Sequence, residues 1–224
     1  MGLARELGAA GALAIGRAAL VAGLPAHERA QGLAWLPVVG LLVGVLAALV
    51  AGVAERLGFG AVAVVLGATV LHAARGSSPY RALHIGATVV EALALLAAAP
   101  AVRTMALVVA PMLARWACVV QCYGGAPRAG TTGLASLAGR ARFREFAIAS
   151  VSALGTSLVL LDAVGLAVAA ACALVTMTIR VLAYRRGRGI DDGTLDTTNA
   201  LVETSALVLL ASIGSMLGRV STSS

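Results

Sequence analysis

The sequence predicts an all-α fold, a polytopic transmembrane bundle of about six to seven helices forming one integral membrane domain over residues 1–224. Composition is the first observation, because 60% of the residues are hydrophobic and only 12% are charged. A typical soluble domain is about 45–50% apolar and about 25% charged. The second observation is a series of apolar runs, each close to the length a helix needs to cross a bilayer. We therefore expect the lipid bilayer to be the main solvent of this chain.

The apolar runs define the predicted membrane spans. Residues 7–24 are apolar but interrupted by Arg17, and no cleavage-site pattern follows, so we expect residues 1–24 to form an amphipathic or interfacial helix. The stretch 146–180 is predicted to be a hairpin turning near Asp162, because both of its flanks are rich in arginine. The membrane spans are expected within residues 36–217, at 36–54, 57–74, 84–101, 104–123, 146–161, 164–180 and 200–217.

The distribution of arginine predicts the orientation in the membrane. All seventeen basic residues are arginine, and the net charge is +7. Three loops, at 75–83, 124–145 and 181–199, hold most of those outside the amino-terminal segment and alternate with nearly neutral loops. By the positive-inside rule these three loops face the cytoplasm, which predicts a multi-pass protein of the cell inner membrane. Arginines arranged in this way argue against nucleic acid as a partner.

Two charged residues fall inside predicted spans. Glu91 and Arg115 each lie twelve positions from Arg103, which sits at the turn between the third and fourth spans. In an antiparallel hairpin both would therefore lie at one depth, roughly 18 Å from the turn. Charged groups at such depth normally pair or line a cavity. A structural ion pair and a polar lining for a substrate cavity both remain open.

Small residues predict where helices approach one another closely. In the first predicted span they recur every four positions, which makes one flat helix face. Three cysteines lie inside apolar runs with no histidine or second pair nearby, and they are expected to be packing residues rather than zinc ligands. The small residues are Gly40, Gly44, Ala48 and Gly52, and the cysteines are Cys118, Cys122 and Cys172.

Several motifs in a fixed order give the chain a family resemblance. They are the run Leu36-Pro37-Val38-Val39-Gly40-Leu41-Leu42-Val43-Gly44; Pro111 and Arg115 in Ala-Pro-Met-Leu-Ala-Arg-Trp; Gly-Gly-Ala-Pro-Arg ending at Arg128; Gly189-Ile190-Asp191-Asp192-Gly193-Thr194-Leu195; and Glu203. In this order, over residues 33 to 215, the chain resembles the cobalamin synthase family, also called adenosylcobinamide-GDP ribazoletransferase.

The resemblance implies an activity in cobalamin biosynthesis. The family joins alpha-ribazole, or its 5'-phosphate, to adenosylcobinamide-GDP and releases GMP, with Mg²⁺ as cofactor. The implied partners are these two substrates, the lipid bilayer and other corrinoid-assembly enzymes. Attack on a phosphorus with a phosphate leaving group requires a divalent metal held by carboxylates and cations placed on the phosphates.

The resemblance also assigns candidate site residues. It implies catalytic roles for Arg115 and Arg128. The expected Mg²⁺ ligands are Asp191, Asp192, Asp196 and Glu203, and the expected substrate-binding residues are His72, Arg75, Arg185 and Arg186. A structural reading of the four acids stays open, because carboxylates are favoured in the first turn of a helix. In that reading Thr197 or Thr198 caps the helix, and His72 is an ordinary interfacial histidine.

The chain departs from the family pattern in its acidic motifs. The family has an Asp-Gly-Leu-Ala-Asp-x-x-Asp-Gly run after a histidine at the end of the second span. Here His72 is followed by Ala73-Ala74-Arg75-Gly76-Ser77-Ser78-Pro79-Tyr80-Arg81, and no acid occurs between Glu55 and Glu91. The second motif is altered: Asp192 stands beside the expected aspartate position, Gly193, and Ala200 replaces the first glutamate. We expect much weaker synthase activity than in an intact family member.

Two further functions follow from this departure. One is a catalytically impaired paralogue that acts as a membrane scaffold or as a corrinoid-binding partner of another enzyme. The other is a small transporter, although no internal repeat supports it.

Overall fold

The computed structural model describes residue 6 and residues 8–11, 26–74, 81–131, 133–187 and 189–222, excluding the side chains of residues 26, 61, 73, 74, 81 and 215–222. Nearly all of the described chain is helical, as the sequence predicts. The helices are α1 (Ala26–Gly32), α2 (Leu36–Arg56), α3 (Gly60–Ala74), α4 (Arg81–Ala97), α5 (Pro100–Cys122), α6 (Phe143–Arg185) and α7 (Asp192–Thr222), with 3-10 turns at Leu33–Trp35 and Leu134–Leu137.

The glycines of α2 fit it closely against α5. An added Cβ on Gly44 would lie 2.6 Å from the carbonyl oxygens of Leu107 and Val108, and one on Gly40 would lie 2.8 Å from the Cα of Met112. Such contacts are possible only between small residues and a bare backbone. The predicted flat face is thus confirmed at these two glycines. It does not extend to Gly52, whose added Cβ would have no heavy atom within 4 Å.

Helix α5 is the centre of the bundle. It packs against α2, α6 and α7, and every residue from Ala106 to Cys122 except Val108 is buried. A helix surrounded by protein must satisfy its polar groups internally, because lipid offers no hydrogen bonds. Pro111 lies within α5, and proline lacks the N–H that would bond the carbonyl of Leu107. Gly44 packs on that same carbonyl.

Helix α6 is a hairpin of two antiparallel limbs, 143–161 and 163–185, as the sequence predicts. Trp116 donates to the hydroxyl of Ser150 in the first limb, at 3.1 Å, and Gln121 donates to the carbonyl of Thr176 in the second, at 3.0 Å. Trp116 and Gln121 are about 8 Å apart along the axis of α5, whereas Ser150 and Thr176 would be about 39 Å apart along a straight α6. The reversal occurs at Asp162, whose φ of 51° and ψ of −142° are not helical.

The hairpin brings three chain segments to one end of the bundle. Tyr123, just past α5, stacks on Phe146 with ring centroids 4.5 Å apart, and Tyr184 at the end of α6 accepts the backbone N–H of Ala126 at 2.6 Å. Helix α7 runs antiparallel to α5, because Cys118 contacts the carbonyl of Leu195 and Gly214 packs on Val102. Helix α4 ends beside the start of α5, where Arg103 bonds the carbonyl of Leu95, and it contacts α7 through Glu91 and Thr204, so α4 and α7 run parallel. The start of α4 therefore lies at this end too, which we call the loop face.

The opposite end, the far face, is held by one arginine. Arg103 forms an ion pair with Glu55 at the end of α2. It also donates to the carbonyl of Leu95 at 2.9 Å and to that of Ala98 at 3.1 Å. These carbonyls belong to the carboxyl end of α4, where a cation is favoured by the helix dipole. The guanidinium therefore joins α2, α4 and α5.

Four described helical stretches are long and apolar enough to cross a membrane: His27–Arg56, Pro100–Cys122, Phe143–Arg185 and Asp192–Gly214. Because the third is a hairpin, these stretches supply five of the predicted spans. The apolar segments Val62–His72 and Ala82–Ala97 are shorter and correspond to the remaining two. The predicted interfacial helix at 1–24 and the loop at 75–83 fall mostly outside the described residues.

Close packing at Gly44 predicts a stability difference between two glycines of α2. We expect Gly44→Ala to lower the free energy of unfolding by about 1–3 kcal/mol, because the new methyl group overlaps the α5 backbone. The control Gly52→Ala should be neutral or stabilising by up to about 1 kcal/mol, because alanine favours the helix more than glycine does. Thermal unfolding of the purified variants in detergent measures both, and equal effects would contradict the packing described.

The hairpin predicts the sidedness of three positions. With the native cysteines replaced by alanine, Arg140→Cys and Arg186→Cys should react with an impermeant thiol reagent from one side of sealed vesicles. Asp162→Cys should react from the other side, because each limb of α6 crosses the bilayer once. Comparing right-side-out with inverted vesicles makes the measurement. Labelling of positions 140 and 186 from opposite sides would require a single straight helix instead.

Candidate functional site

Two loops that carry motifs of the family resemblance are paired at the loop face. The backbone N–H of Ile190 donates to Ala126 at 2.9 Å, and that of Arg128 donates to Ile190 at 2.9 Å. Pro127 and Ile190 thereby form an isolated parallel β-bridge. Gly189 has a φ of 65°, and its added Cβ would lie 3.1 Å from the oxygen of Ala126, so the close approach requires glycine. We call residues 124–128 with 189–194 the paired loops.

An ion pair joins the side chains of the paired loops. Arg128 lies 3.2 Å from a carboxylate oxygen of Asp191, and the arginine side chain is 54% exposed. The other oxygen of Asp191 accepts the backbone N–H and the hydroxyl of Thr194, each at 2.7 Å. Burial alone would raise the pKa of Asp191, but the hydrogen bonds from Thr194 and Arg128 outweigh it and lower the pKa.

Asp191 is therefore the N-cap of α7. The expectation that Thr197 or Thr198 caps the last helix is wrong, because α7 begins at Asp192, well before the predicted start at residue 200. Thr198 is buried inside the helix and donates to the carbonyl of Thr194 at 2.8 Å. A polar first turn lowers the local hydropathy, and the apolar run in the sequence starts only after that turn.

The four predicted metal ligands are spread along α7. Asp192 accepts the backbone N–H of Ala135 at 3.1 Å, which fixes the 3-10 turn of the neighbouring loop. Glu203 is only 1% exposed and lies about 16 Å further along the helix. All ten acidic residues are among those described, and no described group of three or more His, Cys, Asp or Glu side chains is arranged to hold a metal ion.

A buried polar cluster lies beneath the paired loops. The amide of Gln121, which is fully buried, donates to the carbonyl of Thr176 at 3.0 Å and to the hydroxyl of Thr198 at 3.1 Å. Arg180 donates to the carbonyls of Val120, Gln121 and Tyr123 at 2.5–2.9 Å. These are terminal carbonyls of α5, which have no partner within the helix. One guanidinium thus caps the central helix just under the site.

Buried charged side chains continue where α7 contacts α5 and α4. Arg115 is 4% exposed and Glu91 is 0% exposed. Cys118 interacts electrostatically with Arg115, Asp196 and Glu203. The predicted catalytic arginine therefore lies at the same contact between α5 and α7 as two of the predicted metal ligands. Thr204 donates to Glu91 at 2.7 Å. Direct pairing of Glu91 with Arg115 stays a prediction.

The predicted substrate-binding residues occupy two places. Arg185 and Arg186 are exposed at the loop face, next to Tyr184, which bonds the paired loops. His72 is exposed near the end of α3, where its Nδ1 lies 3.1 Å from the hydroxyl of Thr88. Its ring centroid is 6.2 Å from that of His84. Arg75 lies outside the described residues.

Three residues of the site were not among the candidates: Gln121, Arg180 and Tyr184. A signal for Arg180 exists in the sequence, because it ends the predicted span 164–180, and a charge at the end of an apolar run often bonds backbone carbonyls. Gln121 is similarly a polar residue inside a predicted span. Tyr184 carries no such signal, because an interfacial tyrosine is common in membrane proteins.

The lowered pKa of Asp191 predicts a pH-dependent stability difference. Its charge stabilises the folded chain above the ordinary pKa of 3.8, and that stabilisation is lost as the pH falls through the lower folded value. Asp191→Asn retains a capping oxygen but loses the charge. The melting temperature of the variant should be below that of the original chain near neutral pH, and the difference should vanish in acid.

The control is Asp162→Asn, which removes a far-face carboxylate with no described arginine contact. It should show no comparable convergence in acid. A difference for Asp191→Asn that persists unchanged at the lowest pH would show that the ion pair with Arg128 adds nothing to stability.

Comparison with known proteins bears on this arrangement. The family model described as CobS, Cobalamin-5-phosphate synthase, matches residues 79–213, a range that contains the paired loops, the polar cluster and helices α4 to α6. No curated protein and no solved structure gives a significant match. The matched range covers more than half of the 224 residues. The chain therefore belongs to the cobalamin-5-phosphate synthase family, whose role lies in cobalamin biosynthesis.

Proposed function

We propose that the chain joins alpha-ribazole or its 5'-phosphate to adenosylcobinamide-GDP and releases GMP, with the paired loops as the reaction site. One observation carries the proposal: two motifs of the resemblance, 63 residues apart at Arg128 and Asp191, meet through backbone bonds and an ion pair. Neither motif needs the other for helix formation. A site that binds across both loops explains why they are paired.

The proposed step exchanges a phosphoanhydride bond for a phosphate ester. A ribose hydroxyl that alpha-ribazole and its 5'-phosphate share attacks the phosphorus attached to cobinamide, and the bond from that phosphorus to the bridging oxygen breaks. The bridging oxygen leaves with the guanosine phosphate as GMP. The proton of the attacking hydroxyl passes to solvent or to a nearby base. Negative charge grows on the leaving phosphate, so cations beside it lower the barrier.

The arginines of the loop face are suited to that role. Arg128 has an exposed guanidinium held at a fixed place by its backbone bond to Ile190 and by Asp191. Arginine binds phosphate oxygens through two parallel hydrogen bonds. Arg185 and Arg186 are exposed nearby and add positive charge that attracts a diphosphate. Arg115 is buried, and we assign it to the polar wall beneath the loops.

Magnesium, which the family resemblance implies, does not fit the described carboxylates as they stand. Asp191 bonds Thr194 and Arg128, Asp192 bonds the backbone at Ala135, and Glu203 lies deep in α7. No step is therefore derived through the metal. The missing carboxylates are also the reason to expect activity weaker than that of a family member with both acidic motifs.

The proposed setting is the inner face of the cell inner membrane. The loop face carries most of the described arginines, and the positive-inside rule orients such a face toward the cytoplasm, where other corrinoid-assembly enzymes would supply the substrates. A second candidate function is a non-catalytic corrinoid-binding protein. The engagement of Asp191 and Asp192 in holding the loops supports it, because those carboxylates then act in structure rather than in catalysis.

The activity assay follows GMP release by the purified protein in detergent with both substrates present. We expect slow but measurable turnover, and a loss of roughly 10–100-fold in Arg128→Gln, because a charged hydrogen bond to the reacting phosphates is removed. The matched control is Arg56→Gln, an exposed arginine at the far face, which should leave the rate unchanged.

Complementation of a strain lacking the synthase, supplied with cobinamide and the lower-ligand base, separates the two candidate functions. Partial rescue that requires Arg128 supports catalysis. No GMP release and no rescue, with retained corrinoid binding, would favour the non-catalytic function. Full rescue would show that the missing acidic run does not limit the activity.

A further inference from the structure

A second arginine-rich feature of the loop face lies apart from the paired loops. It is a pocket of about 560 Å³ between α1 and the segment that leads into α6. The 3-10 turn Leu134–Leu137 contacts α1 on one side and α7 on the other, so it separates the pocket from the acidic start of α7. The residues that matter in its lining are His27, Gln31, Arg140, Arg142, Arg144 and Glu145.

The charge of the pocket is strongly positive. Its lining has three arginines and one glutamate. The carboxylate of that glutamate, Glu145, already accepts a hydrogen bond from the backbone N–H of Arg142 at 2.9 Å. Arg144 lies 4.0 Å from Glu6 but remains 61% exposed. Arg140 and Arg142 have no acidic side chain within ion-pair distance in the described part of the chain. Their two charges are therefore available to an anion.

The lining also offers polar groups that suit a phosphate. The amide nitrogen of Gln31 is a hydrogen-bond donor in this lining, whereas its carbonyl oxygen, which is buried without a partner among the described residues, only accepts and does not bind a phosphate. His27 is exposed at the rim. Arginines bind phosphate oxygens bidentately, and a pocket of several hundred cubic ångströms accepts a group of that size. A carboxylate would use fewer of these donors.

The pocket lies at the depth of lipid headgroups. Helix α1 leads through Leu33–Trp35 into the spanning helix α2, and the first limb of α6 enters the bilayer at Phe143. The side chain of Phe143 is 70% exposed beside the pocket arginines. An exposed aromatic ring next to cations matches the boundary between headgroups and acyl chains. A phosphate that reached this pocket would have lipid on one side and water on the other.

We propose that this pocket is a binding site for a phosphate group, separate from the reaction site at the paired loops. Two sources share that chemistry. One is the headgroup of an anionic phospholipid, which the pocket's depth and Phe143 favour, and the other is a soluble phosphate. Binding joins α1 to the start of α6 and so fixes where the hairpin enters the membrane. The site does not rest on the proposed reaction, because none of its residues belongs to the paired loops.

The test measures binding to the purified full chain in detergent. The probes are phosphatidylglycerol, phosphatidylcholine as a lipid without net charge, and inorganic phosphate. Retained lipid is counted by native mass spectrometry, and thermal shift is followed for all three probes. The first variant combines Arg140→Gln, Arg142→Gln and Arg144→Gln. The matched control combines Arg128→Gln, Arg185→Gln and Arg186→Gln, which removes equal charge from the same face.

Phosphatidylglycerol should bind more tightly than phosphatidylcholine, and the pocket variant should weaken that binding roughly 100-fold, while the control variant retains it. Stabilisation by inorganic phosphate alone, lost in the pocket variant only, would also uphold the site and identify a soluble source. Equal loss in both variants, or no binding of any probe, would overturn the proposal.

A second pocket variant controls for misfolding of the glutamine variant. Arg140→Lys with Arg142→Lys and Arg144→Lys keeps the charge but removes the planar fork. It should bind phosphatidylglycerol only a few-fold more weakly than the original chain. A loss as large as that of the glutamine variant, in a chain with unchanged helix content, would show that the two parallel hydrogen bonds of arginine, and not charge alone, hold the phosphate. Unchanged binding in the glutamine variant would contradict the proposal.

Discussion

The rest of the structure depends on how the central helix ends. Helix α5 ends at Cys122, which is buried, and its last carbonyls have no following helical turn to bond. The guanidinium of Arg180 bonds three of these carbonyls, and the amide of Gln121 ties the same point to α6 and α7. Without such donors, ending a helix there would leave several polar groups unpaired at a cost of about 1–3 kcal/mol each. The cap lets the loop at 124–128 begin at a fixed place.

The capped end of α5 lies between two sets of contacts. Beneath it, α2 lies against α5 at glycine positions, and Arg103 joins the far ends of α2, α4 and α5. Above it, the loop from α5 pairs with the loop into α7, and Tyr184, at the end of α6, accepts the backbone N–H of Ala126. The functional part of the chain is therefore positioned by a helix that is itself shielded from lipid.

The sequence predicts the fold well and the site only in part. The arginine content of the loops and the charge at Asp162 were enough to predict the hairpin, because the positive-inside rule acts over the whole loop and needs no detailed geometry. The start of α7 was missed, because its first turns are polar and face protein rather than lipid. Spacing alone suggested that the four carboxylates act together, whereas Asp191 and Asp192 instead bond neighbouring backbone and side chains. Which hydrogen bonds a side chain makes depends on tertiary contacts that no local pattern encodes.

The hairpin at Asp162 has a consequence for the order of folding. Arg128 and Asp191 are 63 residues apart, and closing so long a loop in a flexible chain carries an entropic penalty that grows with loop length. Once the hairpin of α6 has crossed the bilayer twice, its two ends lie side by side, and the remaining gap between the paired loops is short. The site is thus a late product of insertion, since its two halves meet only after a turn at the opposite membrane surface has formed. A substitution that opens that turn would separate the paired loops at the opposite end of the bundle without changing any residue there.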